Sequence, residues 1–254
     1  MAITTRVVKA NGLSFTCLEE GSGPLVLLIH GFPDTAHSWD AIRPALAAAG
    51  FRAVSPFTRG YAPTGIPRDG DYRMEALAAD LVALVEALGE ESAILVGHDW
   101  GAAAAHGAAL LAPERVRMLV TVAIPHPAAI RLTPALVWSA RHFIAFRRRR
   151  AADRVRAGDF AHVDQLVRRW SPAWDVPPGE NDPVKRAFAE PGCLEAALGY
   201  YRATGASLPR FLRGKVAVPA LAFAGATDSG VRPSAFEKAR SWYRAGKASG
   251  AVSP

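Results

Sequence analysis

The sequence contains little cysteine and no long apolar segment. Only two of its 254 residues are cysteines, Cys17 and Cys193, and they lack the close Cys or His spacing of a metal site. We expect both to be free thiols in a reducing compartment. No stretch is long and apolar enough to span a bilayer, and the N-terminus lacks the apolar segment of a secretory signal. We therefore expect a cytoplasmic protein that uses no metal, no cofactor and no membrane partner.

Lysine is also scarce, so arginine carries most of the positive charge. The formal net charge is +7, and the densest basic run lies at residues 147–150 and continues to Arg154 and Arg156. Such a run could attract nucleic acid or anionic lipid. No recognition motif for nucleic acid accompanies it, and we interpret it as the solvated face of a helix. We expect no nucleic-acid partner.

Patterns of buried strands and amphipathic helices alternate over the first half of the chain. Residues 24–30 form a continuous apolar run, which is typical of a strand buried on both faces. Residues 72–88 carry apolar side chains at helical spacing and stop at Gly89. This alternation predicts an α/β fold with a mostly parallel sheet flanked by helices.

The alternation breaks at residues 125–127, and strand character returns only at 216–224. The segment between them has a helical pattern rich in arginine and tryptophan. We predict a core of residues 1–126 and 215–254, with a helical cap inserted at 127–214. A cap in this position would cover the carboxyl edge of the sheet, where open α/β sheets bind ligands.

A sharp turn at residues 97–101 is the most informative local pattern. It lies between a predicted strand and an alanine-rich predicted helix, and Gly97 and Gly101 flank its apex two places to either side. The apex residue is Asp99. A carboxylate is a poor acyl acceptor, but it can displace a leaving group from a tetrahedral carbon and form an enzyme ester. The turn therefore favours substrates with a strained C–O bond or a C–halogen bond.

A second turn, His-Gly-Phe-Pro at residues 30–33, ends the strand of residues 24–30. The backbone N–H of Phe32 could point into the site and act together with the N–H of Trp100. Two such donors would stabilise the oxyanion that forms when water attacks an Asp99 ester. They would also favour the ionised form of Asp99 before the reaction.

Four motifs together resemble the α/β-hydrolase superfamily, on its epoxide hydrolase-like branch. They are residues 30–33, 59–64, 97–101 and 124–127. The resemblance implies an α/β-hydrolase fold and a small-molecule substrate, either an epoxide or an alkyl halide. It makes Asp99 the nucleophile and assigns the acid partner, which orients a charged imidazole, to Asp228 on the loop after the post-cap strand.

The resemblance also suggests which cap residues complete the site. Epoxide hydrolases donate protons from two cap tyrosines, and the match assigns the second to Tyr201. Residues 138–146, where the first should fall, contain no tyrosine, and His142 is the nearest polar substitute. His126 is interpreted as lining the pocket. His30 and Pro33 are further predicted pocket residues.

The catalytic histidine of this family follows the last strand, whereas the sequence has no histidine after His162. We therefore expect a C-terminally truncated member without its last strand and closing helix. Asp99 would still open an epoxide, but loss of a general base typically slows the next step by ~10²–10⁴-fold. We expect a trapped alkyl-enzyme and impaired turnover.

Two other interpretations stay open. A haloalkane or haloacid dehalogenase could use the same scaffold, because haloalkane dehalogenases also carry an aspartate nucleophile followed by tryptophan, as in Asp99-Trp100. An inactive fragment or a non-catalytic binding protein would keep the pocket without turnover. Substrate, stereochemistry and oligomeric state are not readable from the sequence.

Overall fold

The computed structural model describes residues 3–130, 137–138, 140–205, 207–225, 233–244 and 248–253. Its strands form one eight-stranded sheet in the order β1-β2-β4-β3-β5-β6-β7-β8. The strands are β1 (Thr4–Ala10), β2 (Leu13–Glu20), β3 (Leu25–Ile29), β4 (Arg52–Pro56), β5 (Ala93–His98), β6 (Val116–Val122), β7 (Ala220–Gly225) and β8 (Ala248–Ser253). β2 pairs antiparallel with both β1 and β4, and every other pairing is parallel. This is the predicted mostly parallel sheet.

Helices cover the sheet and form the segment between β6 and β7. The described helices are α1 (Arg43–Ala48), α2 (Met74–Ala87), α3 (Trp100–Leu111), α4 (Arg141–Phe146), α5 (Ala151–Trp170), α6 (Asp182–Ala189), α7 (Cys193–Ala203) and α8 (Pro233–Ala239). None of the helices in the described ranges is long and apolar enough to cross a membrane.

The central strand β3 is buried on both faces, as its continuous apolar sequence predicts. Leu25, Leu27 and Ile29 belong to the large core, which also contains buried residues of α2 and α3. Val26 and Leu28 point the other way and pack with Trp39. Successive side chains of a strand face opposite sides, so a strand with helices on both faces requires apolar residues at every position.

The segment between β6 and β7, where the sequence predicts a cap, is mainly helical in its described ranges. α4, α5 and α6 all pack against α7, the helix that carries the two adjacent tyrosines. α5 is interrupted where residues 158–160 adopt positive φ angles, so its two halves run in different directions. The boundaries of the cap at residues 127 and 214 stay a prediction.

The expectation that the last strand is missing was wrong. Residues Ala248–Ser253 form β8 and pair in parallel with β7, from Ala220 opposite Ala248 to Gly225 opposite Ser253. β8 is an edge strand of the sheet. β8 pairs with β7 through backbone hydrogen bonds. It can therefore form although its sequence lacks the apolar alternation by which strands are identified in a sequence.

The two cysteines are buried and unpaired, which confirms the prediction of free thiols. Burial raises the pKa of Cys17 to about 12 and that of Cys193 to about 11. Both groups therefore stay protonated at neutral pH and are poor nucleophiles.

Candidate active site

Asp99 lies at the apex of the turn between β5 and α3. Its backbone has φ 51° and ψ −118°, a strained conformation for a residue with a side chain. A Cβ atom on Gly97 would collide with the backbone of Gly101, and one on Gly101 would collide with the carbonyl oxygen of Ile29. The turn can close only because both flanking positions are glycine. The strained backbone holds the Asp99 side chain out at the carboxyl edge of the sheet.

The Asp99 carboxylate is half-buried and accepts hydrogen bonds from two backbone donors. The N–H of Phe32 donates to Oδ1 at 2.9 Å, and the N–H of Trp100 donates as well. Burial raises the pKa of Asp99, while nearby His98 and the two N–H groups lower it. Burial has the larger effect, so the pKa lies above its ordinary value. The two donors favour ionisation as expected, but they do not outweigh the loss of solvent.

The turn of residues 30–33 positions the Phe32 donor. A Cβ atom on Gly31 would collide with the Asp99 side chain, so only glycine allows this approach. The imidazole of His30 stabilises the turn through two hydrogen bonds. Its Nδ1 donates to the Gly31 carbonyl at 2.9 Å, and its Nε2 accepts from the Thr58 N–H at 3.0 Å. Burial lowers the pKa of His30 to about 4, so the ring is neutral.

A cleft of about 1990 Å³ opens beside Asp99, between the carboxyl edge of the sheet and the helices of the segment between β6 and β7. Among the predicted site residues, those that line it are Phe32, Pro33, Asp99, Trp100 and His142. His30 instead faces a small apolar cavity beneath the turn. The structure thus brings Asp99, the two backbone donors and His142 to one cleft.

The adjacent tyrosines of α7 have different surroundings. Tyr201 is 1% exposed and sits edge-on to Phe32 and Trp100, with ring centroids 5.3 and 5.1 Å apart. Burial and the neighbouring Asp99 carboxylate raise the pKa of Tyr201 well above its ordinary value. Tyr200 lines the cleft, but its hydroxyl donates to the carbonyl of Arg59 at 2.8 Å. The charge of Asp99 thus acts on the pKa of Tyr201, although Tyr201 is not among the residues that line the cleft.

His126 is not among the residues that line the cleft, contrary to its predicted place in the pocket. His126 is fully buried, stacks on Trp242 at 5.3 Å and accepts a hydrogen bond from the N–H of Ala128 at 3.2 Å. Burial lowers the pKa of His126 to about 4, so it is a neutral interior histidine. Asp228 lies outside the described residues, and its role stays a prediction.

Sequence reasoning missed an ion pair beside the nucleophile. His98 Nδ1 lies 3.3 Å from Oδ2 of Asp34, and both residues line the cleft. Burial alone would raise the pKa of Asp34, but hydrogen bonding and the charge of His98 lower it below its ordinary value. The sequence indicates this pair only through the positions of its two residues. Asp34 directly follows the turn of residues 30–33, and His98 directly precedes Asp99. No group of metal-ligating side chains occurs within the described ranges.

The sequence and fold match known proteins over most of the chain. The family model of the α/β hydrolase fold matches residues 24–248. An epoxide hydrolase of Caballeronia sordidicola is 43% identical over 119 residues, which are 46% of this chain and 36% of that protein. The AB hydrolase superfamily protein YfhM of Bacillus subtilis is 31% identical over 210 residues, 79% of this chain and 73% of that protein.

A solved structure of the Bacillus megaterium epoxide hydrolase, in complex with an inhibitor, superposes with a TM-score of 0.87. It covers 98% of this chain and 91% of that one at 23% identity, which shows a shared fold. The chain belongs to the α/β-hydrolase family. Within that family it is epoxide hydrolase-like. It spans from about a third to three quarters of the length of the two curated relatives named above.

Proposed function

We propose that the protein opens epoxides through a covalent ester of Asp99. A carboxylate oxygen of Asp99 attacks one epoxide carbon, the C–O bond to that carbon breaks, and the ring oxygen takes a proton from the hydroxyl of Tyr201. The raised pKa of Tyr201 keeps this hydroxyl protonated at neutral pH. The products of the step are an alkyl-enzyme ester and a tyrosinate.

The second step is hydrolysis of the ester. Water attacks the ester carbonyl carbon, and the oxyanion that forms accepts hydrogen bonds from the N–H groups of Phe32 and Trp100. The bond between the ester oxygen and the Asp99 carbonyl carbon then breaks. One proton of the water goes to the departing alkoxide and the other to the Tyr201 phenolate. A vicinal diol leaves, and the Asp99 carboxylate and the Tyr201 hydroxyl are both restored.

The observation that carries this proposal is the position of the Asp99 carboxylate. It sits on a strained turn, accepts the Phe32 N–H at 2.9 Å and lines the cleft. A carboxylate held between two N–H donors has both the nucleophile for the first step and the oxyanion site for the second. The names of relatives such as the Caballeronia sordidicola epoxide hydrolase support an epoxide as substrate.

We propose further that ester hydrolysis is the slow half of the reaction. It needs a base to activate water, and in the family that the sequence resembles this base is a histidine placed after the acid. Among the described residues, the histidines that line the cleft are His37, His98 and His142, and none of them follows the predicted acid Asp228. His37 Nδ1 lies 3.0 Å from Asp40 and His98 Nδ1 lies 3.3 Å from Asp34, so we expect slow hydrolysis and accumulation of the ester.

The first prediction concerns Asp99→Asn. Incubation of the unchanged protein with styrene oxide should increase its intact mass by that of one epoxide, with slow release of diol. Asp99→Asn should reduce adduct and diol formation by roughly 10³-fold or more, since it removes the nucleophile. Asp153→Asn, on an exposed cap position, is the matched control and should react like the unchanged protein. Equal reactivity of Asp99→Asn would exclude Asp99 as the nucleophile.

Dehalogenation is a second candidate, and the position of Trp100 favours it. Trp100 follows the nucleophile directly and lines the cleft, where an indole N–H can stabilise a leaving halide. The same mass measurement with a chloroalkane, combined with a halide assay, separates the two functions. Release of chloride without reaction of epoxides would support dehalogenation and contradict the epoxide proposal.

A further inference from the structure

Four large apolar side chains of the segment between β6 and β7 lie exposed. Trp138 is 71% exposed, Ile144 61%, Val137 51% and Trp174 45%. Val137, Ile144 and Trp174 also line the cleft, and Trp138 is the chain neighbour of Val137. We call these four residues the rim patch. Exposed apolar side chains that share one cleft in this way mark a contact site.

Arginine side chains border the rim patch. The guanidinium of Arg141 lies 4.7 Å from the ring centre of Trp138, and the exposed residues 147–150 follow α4 directly. The backbone carbonyl of Thr204 accepts a hydrogen bond from Arg147 at 2.6 Å, which fixes the start of this run against α7. Residues 137–152 contain no aspartate or glutamate, so this positive charge is not neutralised within the segment.

We propose that the rim patch, Arg141 and residues 147–150 form a docking surface for an anionic lipid membrane. Tryptophan and aliphatic side chains enter the headgroup region, and arginines bind the lipid phosphates while their stems cover apolar surface. This assignment replaces the interpretation of the arginine run as a purely solvated helix face. It does not depend on the proposed reaction of Asp99.

Two other partners fit this surface less well. A nucleic acid would use the arginines through its phosphates, but it would leave Val137 and Ile144 exposed to water. A second copy of this chain would carry the same net charge of +7 to the contact. An anionic membrane would bind both the arginines and the apolar side chains. It would also hold the mouth of the cleft where apolar substrates concentrate.

Co-sedimentation of the full chain with lipid vesicles tests this surface. We expect binding to phosphatidylcholine vesicles that contain phosphatidylglycerol, and much weaker binding to pure phosphatidylcholine or at high salt. Ile144→Ser should weaken binding to the anionic vesicles by roughly tenfold. Val7→Ser is its matched control, because Val7 is 63% exposed on β1 and should leave binding unchanged.

The charge contribution is tested by a second pair of variants. Replacing Arg148 and Arg149 by glutamine should weaken binding to anionic vesicles by roughly fivefold for each arginine. Replacing the exposed Lys9 and Arg117 by glutamine removes the same charge elsewhere and should change binding much less. An equal loss of binding in the two double variants would indicate an effect of net charge alone and overturn the proposal.

Three further results would overturn the proposal. One is the absence of binding to anionic vesicles. The second is self-association, seen by light scattering and abolished by Ile144→Ser, without detectable binding to vesicles. This result would identify a second copy of the chain as the partner. The third is tight binding of an oligonucleotide that Ile144→Ser leaves unchanged, without binding to vesicles.

Discussion

Burial and hydrogen bonding act in opposite directions on the carboxyl group of Asp99. Burial raises its pKa, whereas His98 and the N–H groups of Phe32 and Trp100 lower it. The result is a carboxylate that is more basic than an exposed aspartate. Basicity and nucleophilicity rise together, so this environment favours attack on an electrophilic carbon. In the proposed reaction the same N–H groups also stabilise the oxyanion that forms when water attacks the ester.

The second prediction concerns Gly101→Ala. The added methyl group would collide with the backbone carbonyls of Ile29 and His30, which cannot rotate away. We expect the free energy of unfolding in urea to fall by about 2–3 kcal/mol. A nucleophile displaced by about 1 Å should also form the epoxide adduct roughly 10²-fold more slowly.

Gly65→Ala provides the control for this comparison. The nearest atom to a Cβ there is Leu13 Cδ2 at 3.9 Å, an ordinary contact. Its effect on stability should stay within about 0.5 kcal/mol. Equal stability and equal adduct rates for the two variants would contradict the argument that the elbow requires glycine.

At the scale of elements, Asp80 joins three parts of the core below the cleft. It lies on α2, receives two hydrogen bonds from Arg59 on the loop after β4 (2.6 and 2.7 Å), and accepts one from Asn11 in the β1–β2 turn at 2.7 Å. Arg59 and Asp80 are 4% and 3% exposed. The carbonyl of Arg59 also accepts the Tyr200 hydroxyl, so the same loop supports α7 of the cap.

The third prediction is that Asp80→Asn strongly destabilises the protein. The substitution leaves the buried Arg59 guanidinium without its counter-charge, which typically costs about 3–5 kcal/mol. Urea unfolding followed by circular dichroism measures the loss. Glu195→Gln breaks the more exposed pair with Arg156, and its expected cost is only about 0–1 kcal/mol. A loss of similar size in both variants would contradict a special role for the buried pair.

An element could be predicted from the sequence where the residues that determine it lie close together in the chain. The turn at Asp99 was predictable because Gly97 and Gly101 are close in sequence. Its meeting with Phe32 was also predictable, because parallel strands end at the same edge of the sheet. The burial of Tyr201 depends on how α4 and α7 pack, and no local pattern encodes it. The pairing of β8 with β7 likewise has no local signal.

At the scale of the whole molecule, three buried histidines link stability to pH. Burial lowers the pKa of His30 and of His126 to about 4, and that of His106 to about 3. His106 donates to the Ala102 carbonyl and accepts from the Tyr243 hydroxyl at 2.8 Å, so it is held neutral in the interior. In the unfolded chain each ring should titrate near ~6.5.

The fourth prediction follows from these three pKa values. Below pH ~6.5 these histidines are protonated in the unfolded chain, whereas in the folded chain they stay neutral down to about pH 4. The free energy of unfolding therefore falls as the pH is lowered through this window. Three histidines together should change the free energy of unfolding by up to about 4 kcal/mol per pH unit. Asp99 and Asp80, whose pKa values burial raises, act in the opposite direction.

Urea unfolding of the unchanged protein between pH 7.5 and pH 5 measures this slope. His106→Gln should be less stable at neutral pH, because it loses a packed ring, but its stability should depend on pH less steeply by about one proton. This change in slope separates titration from simple loss of packing, which would lower stability equally at every pH. A flat profile for the unchanged protein would mean that these histidines are charged in the folded state or solvated, against the burial that places them in the core.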